Sequence, residues 1–231
     1  FVDACRAGGI VPFFYHTLLD WHAPSYRNDF CKYLSYLRES IELLCTRYGK
    51  IGGFWFDGIW DKPEADWEED ALYGLIRRYQ PEAMIINNTG LKARGVLGHT
   101  ELDSVTFERG RPLSLNMEGV PKYVASEMSQ TMYEHWGYCQ RDFNCKSPAS
   151  LIEEYCACRR YGANFLLNVG LLPNGYLKVL DREMLLHLGR WMKINGAPVR
   201  NAFPCEYTAE RADDFIQWGN DLRPCFGTDS L

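Results

Sequence analysis

Acidic side chains at the ends of apolar runs are the residues of this sequence best suited to chemistry. Gly52-Gly53-Phe54-Trp55-Phe56-Asp57-Gly58 reads as a short apolar strand that ends in one carboxylate, with Ile59-Trp60-Asp61 after it. Such a strand has no structural use for an aspartate at its tip unless something pairs with it. A carboxylate between tryptophans is where a group attacking a sugar would sit. A strand-end Asp also caps turns and helices, and the local pattern weighs the two readings equally. Asp103, Glu108 and Glu127 are the other acids expected at strand ends. Two such carboxylates can flank a glycosidic bond, one attacking the anomeric carbon and the other protonating the leaving oxygen. Their separation is about 5–5.5 Å in a retaining enzyme and about 6.5–9.5 Å in an inverting one. The competing reading is a surface or helix-pairing acid, and it is strongest for Glu127, which falls in a possible helix.

Aromatic residues and one histidine accompany these acids. Tyr15 and His16 close the first apolar run. His16 could hydrogen-bond a sugar hydroxyl or be a satisfied core histidine, the commoner outcome. Trp55, Trp60 and Trp136 could present ring faces to a sugar. Core packing competes for Trp55, whereas Trp136 lies in the loop-like His135-Trp136-Gly137-Tyr138. Asn164 and Asn168 flank Phe165-Leu166-Leu167, and an asparagine in such a run must be hydrogen-bonded.

The elements that must position these residues alternate between strand and helix patterns. Strands are expected at Ile10–Tyr15, Ile51–Asp57, Ala83–Asn87, Ser104–Glu108 and Asn164–Val169. Phe30–Tyr48 carries apolar residues at helical spacing. Asp66 and Glu69 resemble a capping box for a helix that Pro81 ends. Ser147-Pro148 is a helix start, with Ser as N-cap and Pro at the first helical position. A last helix spans roughly Leu177–Ile194 and stops at Asn195-Gly196. The polar stretch Asn88–Thr100 reads as a loop over a site. Repeated strand–helix units imply an α/β fold with parallel strands. About five strands suit the later part of a (β/α)8 barrel. The rival doubly wound sheet would prefer an early G-x-G-x-x-G turn, which does not occur. The expected division is a barrel portion over residues 1–197 and a loop-rich appendage over 198–231, where a small β segment would begin.

Composition narrows the function classes. At 231 residues the chain can bury a substantial core, and its net charge of −5 argues against nucleic acid as a partner. No apolar run reaches 18 residues, so no membrane partner is expected. The nine cysteines contain no Cys-x-x-Cys pair and read as reduced, mostly buried thiols, which points to the cytoplasm. The five histidines do not cluster with cysteines, so neither a metal site nor a cofactor is expected.

Taken together, these segments make the chain resemble the α-L-fucosidases of glycoside hydrolase family 29. The match rests on Phe14-Tyr15-His16-Thr17-Leu18-Leu19-Asp20-Trp21, on Gly53-Phe54-Trp55-Phe56-Asp57-Gly58, on Glu127 through His135-Trp136-Gly137-Tyr138, and on Tyr161–Gly170 with Pro173-Asn174-Gly175 after it. Their order and approximate spacing agree with the family's. The resemblance implies a retaining enzyme acting on terminal α-L-fucosides of oligosaccharides or glycoconjugates, with transfer to other sugars as a competing outcome. Asp57 would be the nucleophile, and Trp55 and Tyr15 would contact the sugar. Val105-Thr106-Phe107-Glu108-Arg109 is similar to the family's acid/base segment, which favours Glu108 over the runner-up Asp103. Glu127 would hold a sugar hydroxyl or tune the pair, and His16 and Trp136 are further substrate contacts. The family's early tryptophan-glycine motif and paired histidines find no match. The resemblance therefore implies later strands and helices only, completed by the missing front portion or by a second copy. A non-catalytic sugar-binding or assembly piece is the alternative function, and a barrel hydrolase for another deoxysugar is a third.

Overall fold

The structure, a computed structural model, describes residues 1–89, 91, 94–201, 203–204, 216–218 and 224–226. It divides into two units, Phe1–Thr106 with Leu115–Ala125, and Phe107–Ser114 with Ser126–Leu231.

In the first unit, period-two alternation along β2 (Gly53–Asp57) sends Phe54 and Phe56 into the core and leaves Trp55 and Asp57 on the other face. β1 (Phe13–Thr17) lies parallel to β2, with Tyr15 opposite Trp55 and Thr17 opposite Asp57. β3 (Met84–Asn87) continues the sheet beside β2, and β4 (Ser104–Glu108) follows through a pair at Ile86 and Ser104. The parallel crossovers run through α2 (Pro24–Asn28), α3 (Phe30–Arg47) and α4 (Glu69–Tyr79), after a short α1 (Val2–Ala7). Along α3, Tyr33, Leu34, Leu37, Ile41 and Cys45 form one buried stripe, and the Asp29 carboxylate caps its first turn by accepting from the Lys32 N–H at 3.1 Å. The stripe packs with Phe54, Phe56, Leu72, Ile76 and Ile85 in a single core. Full burial of each large apolar side chain contributes about 1.5–3 kcal/mol.

The capping box expected at Asp66 and Glu69 does not form. Asp66 Oδ1 accepts from the Glu68 N–H at 2.8 Å, which closes a local turn instead. Glu68 then starts α4 in the left-handed region at φ 50, and Glu69 accepts from the Tyr73 hydroxyl. The first strand also begins later than Ile10, since Ile10 and Val11 are exposed and precede the pairing. Three residues of the 88–100 loop (Gly90, Lys92 and Ala93) lie outside the described set.

Gly53 is where the central strands approach most tightly. A Cβ there would lie 2.2 Å from the Met84 carbonyl oxygen and 2.6 Å from the Phe13 ring, at φ 157. The obstacle is backbone of the paired strand, which no rotamer relieves. Gly53→Ala is expected to cost about 3 kcal/mol or more, as overpacking against an unyielding neighbour does. Chemical denaturation checks it, and an unchanged midpoint would refute the close approach.

In the second unit, β5 (Ala125–Thr131) and β6 (Asn164–Asn168) pair in parallel, with Glu127 opposite Asn164 and Thr131 opposite Asn168. The end of β4 joins β5 there. The Arg109 N–H donates to the Ser129 carbonyl at 3.0 Å, and Ser129 Oγ donates to the Phe107 carbonyl at 3.3 Å. α5 (Pro148–Arg160) starts as its Ser147-Pro148 signal requires, with Ser147 Oγ accepting from the Ser150 N–H at 3.1 Å. α5 and α6 (Val179–Asn201) pack through Ile152, Cys156 and Trp191. α6 runs past Asn195-Gly196 to Asn201, so that dipeptide does not stop it. Of the expected appendage, three short antiparallel strands are described: β7 (Phe203–Pro204), β8 (Ile216–Trp218) and β9 (Pro224–Phe226). Most of residues 205–231 lie outside the described set.

β5 is a strand that the hydrophobic pattern hides. Its sequence is Ala-Ser-Glu-Met-Ser-Gln-Thr, yet Ser126, Ser129, Gln130 and Thr131 are buried. Side-chain hydrogen bonds within the fold offset the burial of Ser129, Gln130 and Thr131. Glu127 therefore sits in a strand, not in the helix expected for it.

The sheet order is β1-β2-β3-β4 in the first unit and β4-β5-β6 in the second. Sequential order is that of a singly wound parallel sheet, not of a doubly wound one, whose order reverses at a switch point. The seven described cysteines are free thiols. Cys45, Cys156 and Cys158 are buried, Cys5, Cys139 and Cys145 are half-buried, and Cys31 is exposed, so burial is less general than expected. Cys205 and the side chain of Cys225 lie outside the described residues.

Candidate active site

Asp57 ends β2 in a cradle of four donors. The Tyr15 hydroxyl donates to Oδ2 at 2.7 Å. Oδ1 accepts from the Gly58 N–H at 2.8 Å, from the Trp60 indole N–H at 3.1 Å and from the Asn88 amide at 3.3 Å. An ionised carboxylate is an acceptor only, so all four contacts suit the charged form. Oδ1 is crowded, while Oδ2 takes one partner among the described residues and keeps capacity to approach an electrophile. The Tyr15 and Trp55 rings stack beside it, with centroids 5.5 Å apart and planes at 18°. Tyr15 is exposed, so this aromatic wall faces outward from the sheet.

Each donor has a local cause. Tyr15 reaches Asp57 because the parallel register sets Thr17 opposite Asp57, which puts Tyr15 one diagonal step away on the same face. Trp60 reaches back through a single 3-10 turn, Ile59–Asp61, in which the Asp61 N–H donates to the Gly58 carbonyl. Asp61 anchors that turn by accepting from the Tyr26 hydroxyl at 2.5 Å and the Trp21 indole at 3.3 Å. Asn88 follows β3, buried, and its Oδ1 accepts from Thr106 Oγ1 at 3.0 Å, which turns its amide N–H₂ toward Asp57.

His16 does not join this group. It occupies the opposite face of β1, where Nε2 meets Ser40 Oγ of α3 at 3.1 Å and Nδ1 meets the Thr17 carbonyl at 2.8 Å. Its ring lies edge-on to Phe56. Burial pushes its pKa below the ordinary value, against the raising effect of the Thr17 bond. The expected sugar contact at His16 is corrected to a histidine packed between sheet and helix, because neighbours in a strand face opposite ways.

Two acids expected at C-terminal strand ends lie elsewhere. Asp103 immediately precedes β4, so it stands at the end of the strand away from Glu108, roughly 16 Å along it at the usual rise per residue. Both of its oxygens are engaged. Oδ2 accepts from Arg77 at 2.7 Å and from the Ile85 N–H at 2.8 Å, and Oδ1 accepts from Lys122 at 3.0 Å. Arg77 also binds Glu101 and the Ala83 carbonyl. Glu127 is the third residue of β5, and its Oε2 accepts from Asn164 at 2.8 Å. Neither acid is at the strand tips where Asp57 and Glu108 are found.

Asp103 acts on stability. Burial pushes its pKa up, and the bonds from Arg77, Ile85 and Lys122 more than reverse this, leaving it below the ordinary value. A depressed folded value means stability that is present above the unfolded pKa, about 3.9, and is lost as pH falls through the folded value. Asp103→Asn is expected to cost about 1–3 kcal/mol at neutral pH. The gap to wild type should narrow as pH falls below about 4 and close only below the lower folded value, where both carry a neutral group. Denaturation midpoints at pH 7 and pH 3 check this, and an equal gap at both would refute it.

In the second unit Glu108 ends β4 half-buried. Arg109, next in the chain, adopts φ 48, and its guanidinium donates to the Glu134 carbonyl and lies 5.5 Å from the centre of the Trp136 ring. Trp136 is 36% exposed, so the aromatic expected in this loop is available to a ligand. The sequence pattern missed two members of the Asp57 cradle in their present role. Asn88 falls in a stretch that reads as a polar loop, and its only signal is an Asn-Asn pair at the end of an apolar strand. The sequence offers Trp60 for its ring face, whereas its N–H is what touches Asp57.

The sequence model of the alpha-L-fucosidase family matches residues 1–197. The tissue alpha-L-fucosidase of Bos taurus is 26% identical over 211 residues, covering 85% of this chain and 43% of the relative. The chain thus spans less than half the length of that curated relative. Alpha-L-fucosidase isoenzyme 1 from Paenibacillus thiaminolyticus superposes with a TM-score of 0.70 at 25% identity, over 94% of this chain and 56% of that one. A family 29 alpha-L-fucosidase from Bacteroides thetaiotaomicron, trapped as a covalent intermediate with 2-fluoro-fucosyl fluoride, superposes with a TM-score of 0.68 at 23% identity, over 96% and 55%.

Proposed function

The chain belongs to the alpha-L-fucosidase family, and from that premise we propose that it hydrolyses terminal α-L-fucosides by double displacement. The observation that carries the reading is the four-donor cradle around Asp57 at the tip of β2, beside the stacked Tyr15 and Trp55. Asp57 Oδ2 attacks the anomeric carbon as the glycosidic bond breaks, and Glu108 gives its proton to the leaving oxygen. A fucosyl ester of inverted configuration forms on Asp57. Glu108, now a base, takes a proton from water, which attacks the same carbon and restores the original configuration. A sugar hydroxyl in place of that water gives transfucosylation. Tyr15, Asn88 and Trp60 hold the carboxylate in line, and Trp55 supplies an apolar wall to the fucose ring. The complete (β/α)8 barrel belongs to the same proposal, supported by the sequential parallel order and by the superposition on the Paenibacillus enzyme.

The test is fucose release from 4-nitrophenyl α-L-fucoside followed by proton NMR in the first minutes. α-L-Fucose is the expected first product. β-L-Fucose would exclude the double displacement, and no release with intact binding of fucose would favour a non-catalytic sugar-binding role.

A further inference from the structure

The turn that carries Trp60 is tied to the residues after β1 through one carboxylate. Asp61 closes the 3-10 turn Ile59–Asp61, and its two oxygens take donors from different segments. Oδ2 accepts from the Tyr26 hydroxyl of α2 at 2.5 Å, and Oδ1 accepts from the Trp21 indole N–H at 3.3 Å. Tyr26 is buried and packs edge-on against Tyr33, with ring centroids 4.9 Å apart, so the core fixes its hydroxyl. Burial and the bond to Asp61 push its pKa up, which keeps it a donor. Trp21 is placed by Asp20, whose Oδ1 accepts from the N–H groups of His22 and Ala23 at 2.8 and 3.2 Å.

The backbone shows the same clamp. Gly58 turns the chain at φ 102, and a Cβ there would lie 2.7 Å from the Leu19 side chain and 3.1 Å from the Leu19 nitrogen. The turn after β2 is therefore pressed onto the loop after β1. On its other side the Lys62 carbonyl accepts from the Trp67 indole N–H at 3.1 Å. Trp60 is 43% exposed, so packing alone does not fix its ring, yet its N–H is aimed at Asp57 Oδ1 at 3.1 Å. A neighbouring aspartate held by a buried tyrosine supplies the constraint that packing lacks.

We infer that Asp61 is a positioning residue for the reaction: clamped by Tyr26 and Trp21, it holds the turn that aims the Trp60 N–H at Oδ1 of Asp57. The inference rests on the proposed nucleophile role of Asp57. A donor fixed on Oδ1 keeps the carboxylate in line and leaves Oδ2 to attack, so the effect belongs to the chemical step and not to binding of the sugar.

Asp61→Asn keeps the shape of the side chain and one acceptor oxygen, and loses the other. Its kcat on 4-nitrophenyl α-L-fucoside is expected to fall about 10-fold, roughly what one good hydrogen bond contributes, with KM unchanged. In a Trp60→Phe background there is no indole N–H to aim, and the same substitution is expected to change kcat by less than about 2-fold. An equal loss in both backgrounds overturns the inference, because Asp61 would then act by a route other than Trp60. Hydrogen exchange of the Trp60 indole N–H, assigned by its absence from Trp60→Phe, reads the aim without any turnover. Exchange is expected to be about 10-fold faster in Asp61→Asn than in the wild type. Wild-type exchange in the folded variant overturns the inference. Should Asp61→Asn melt out, Tyr26→Phe carries the exchange test with the same two outcomes, since it removes only a hydroxyl 35 positions from Asp61. No turnover by the wild type would sink the fucosidase reading instead, and the exchange measurement would still decide the role of Asp61.

Discussion

Asp57→Asn is expected to lower kcat by about 10⁴-fold or more while leaving the chain folded, the scale seen when a nucleophile is removed from an organised site. The amide is isosteric and still accepts through one oxygen, so the bonds from Gly58, Trp60 and Asn88 to Oδ1 can persist. What it lacks is the charge that forms the ester. Asp57→Ala sharpens the test, because the vacated space keeps donors on three sides and suits a small anion. Added azide is expected to restore turnover of an activated aryl fucoside and to yield β-L-fucosyl azide, the product of a single inversion. Undiminished turnover in Asp57→Asn would remove the nucleophile assignment. Steady-state kinetics with melting curves in parallel provide the measurement.

Glu108→Ala is expected to reduce kcat/KM for a fucosylated oligosaccharide by about 10²–10⁴-fold, the contribution of general acid–base catalysis. An aryl fucoside with a good leaving group should lose less in the first step, since its departing oxygen needs little protonation. Deglycosylation still lacks its base, so azide should accelerate turnover here as well, this time giving the α-fucosyl azide by two inversions. The opposite anomers from the two variants separate nucleophile from acid/base in one product analysis. If Asp103→Asn produced this signature and Glu108→Ala did not, the assignment would move. The ion pairs of Asp103 with Arg77 and Lys122 argue against that, because an acid whose proton is displaced by two cations has none to donate near neutral pH.

Much of the secondary structure was legible because it depends on short-range patterning. The α3 stripe, the Ser147-Pro148 start of α5 and the apolar run of β2 each follow from neighbours within a few residues. β5 was illegible for the opposite reason. Its polar side chains are buried against partners far along the chain, Ser129 against Phe107 and Gln130 against Glu154, so no local apolar period marks it. The extension of α6 through Asn195-Gly196 shows the same limit, since packing of Trp191 and Val199 against α5 outweighs the stop signal.

For the candidate site, the amino-acid order by itself determined that Asp57 stands at the tip of an apolar strand with Trp55 two residues before it, because side-chain alternation is a property of the strand alone. It also determined that Glu108 ends a second strand. Tertiary structure decided the rest. Only the register of β1 on β2 puts Tyr15 on Asp57 and turns His16 away to Ser40. Only the start of β4 at Ser104 sends Asp103 to the far end of the strand from Glu108. Only the fold brings Asn88, 31 positions further along the chain, to the same carboxylate. Faces repeat every two residues and can be read from a string, whereas strand ends and hydrogen-bond partners depend on which segments lie side by side.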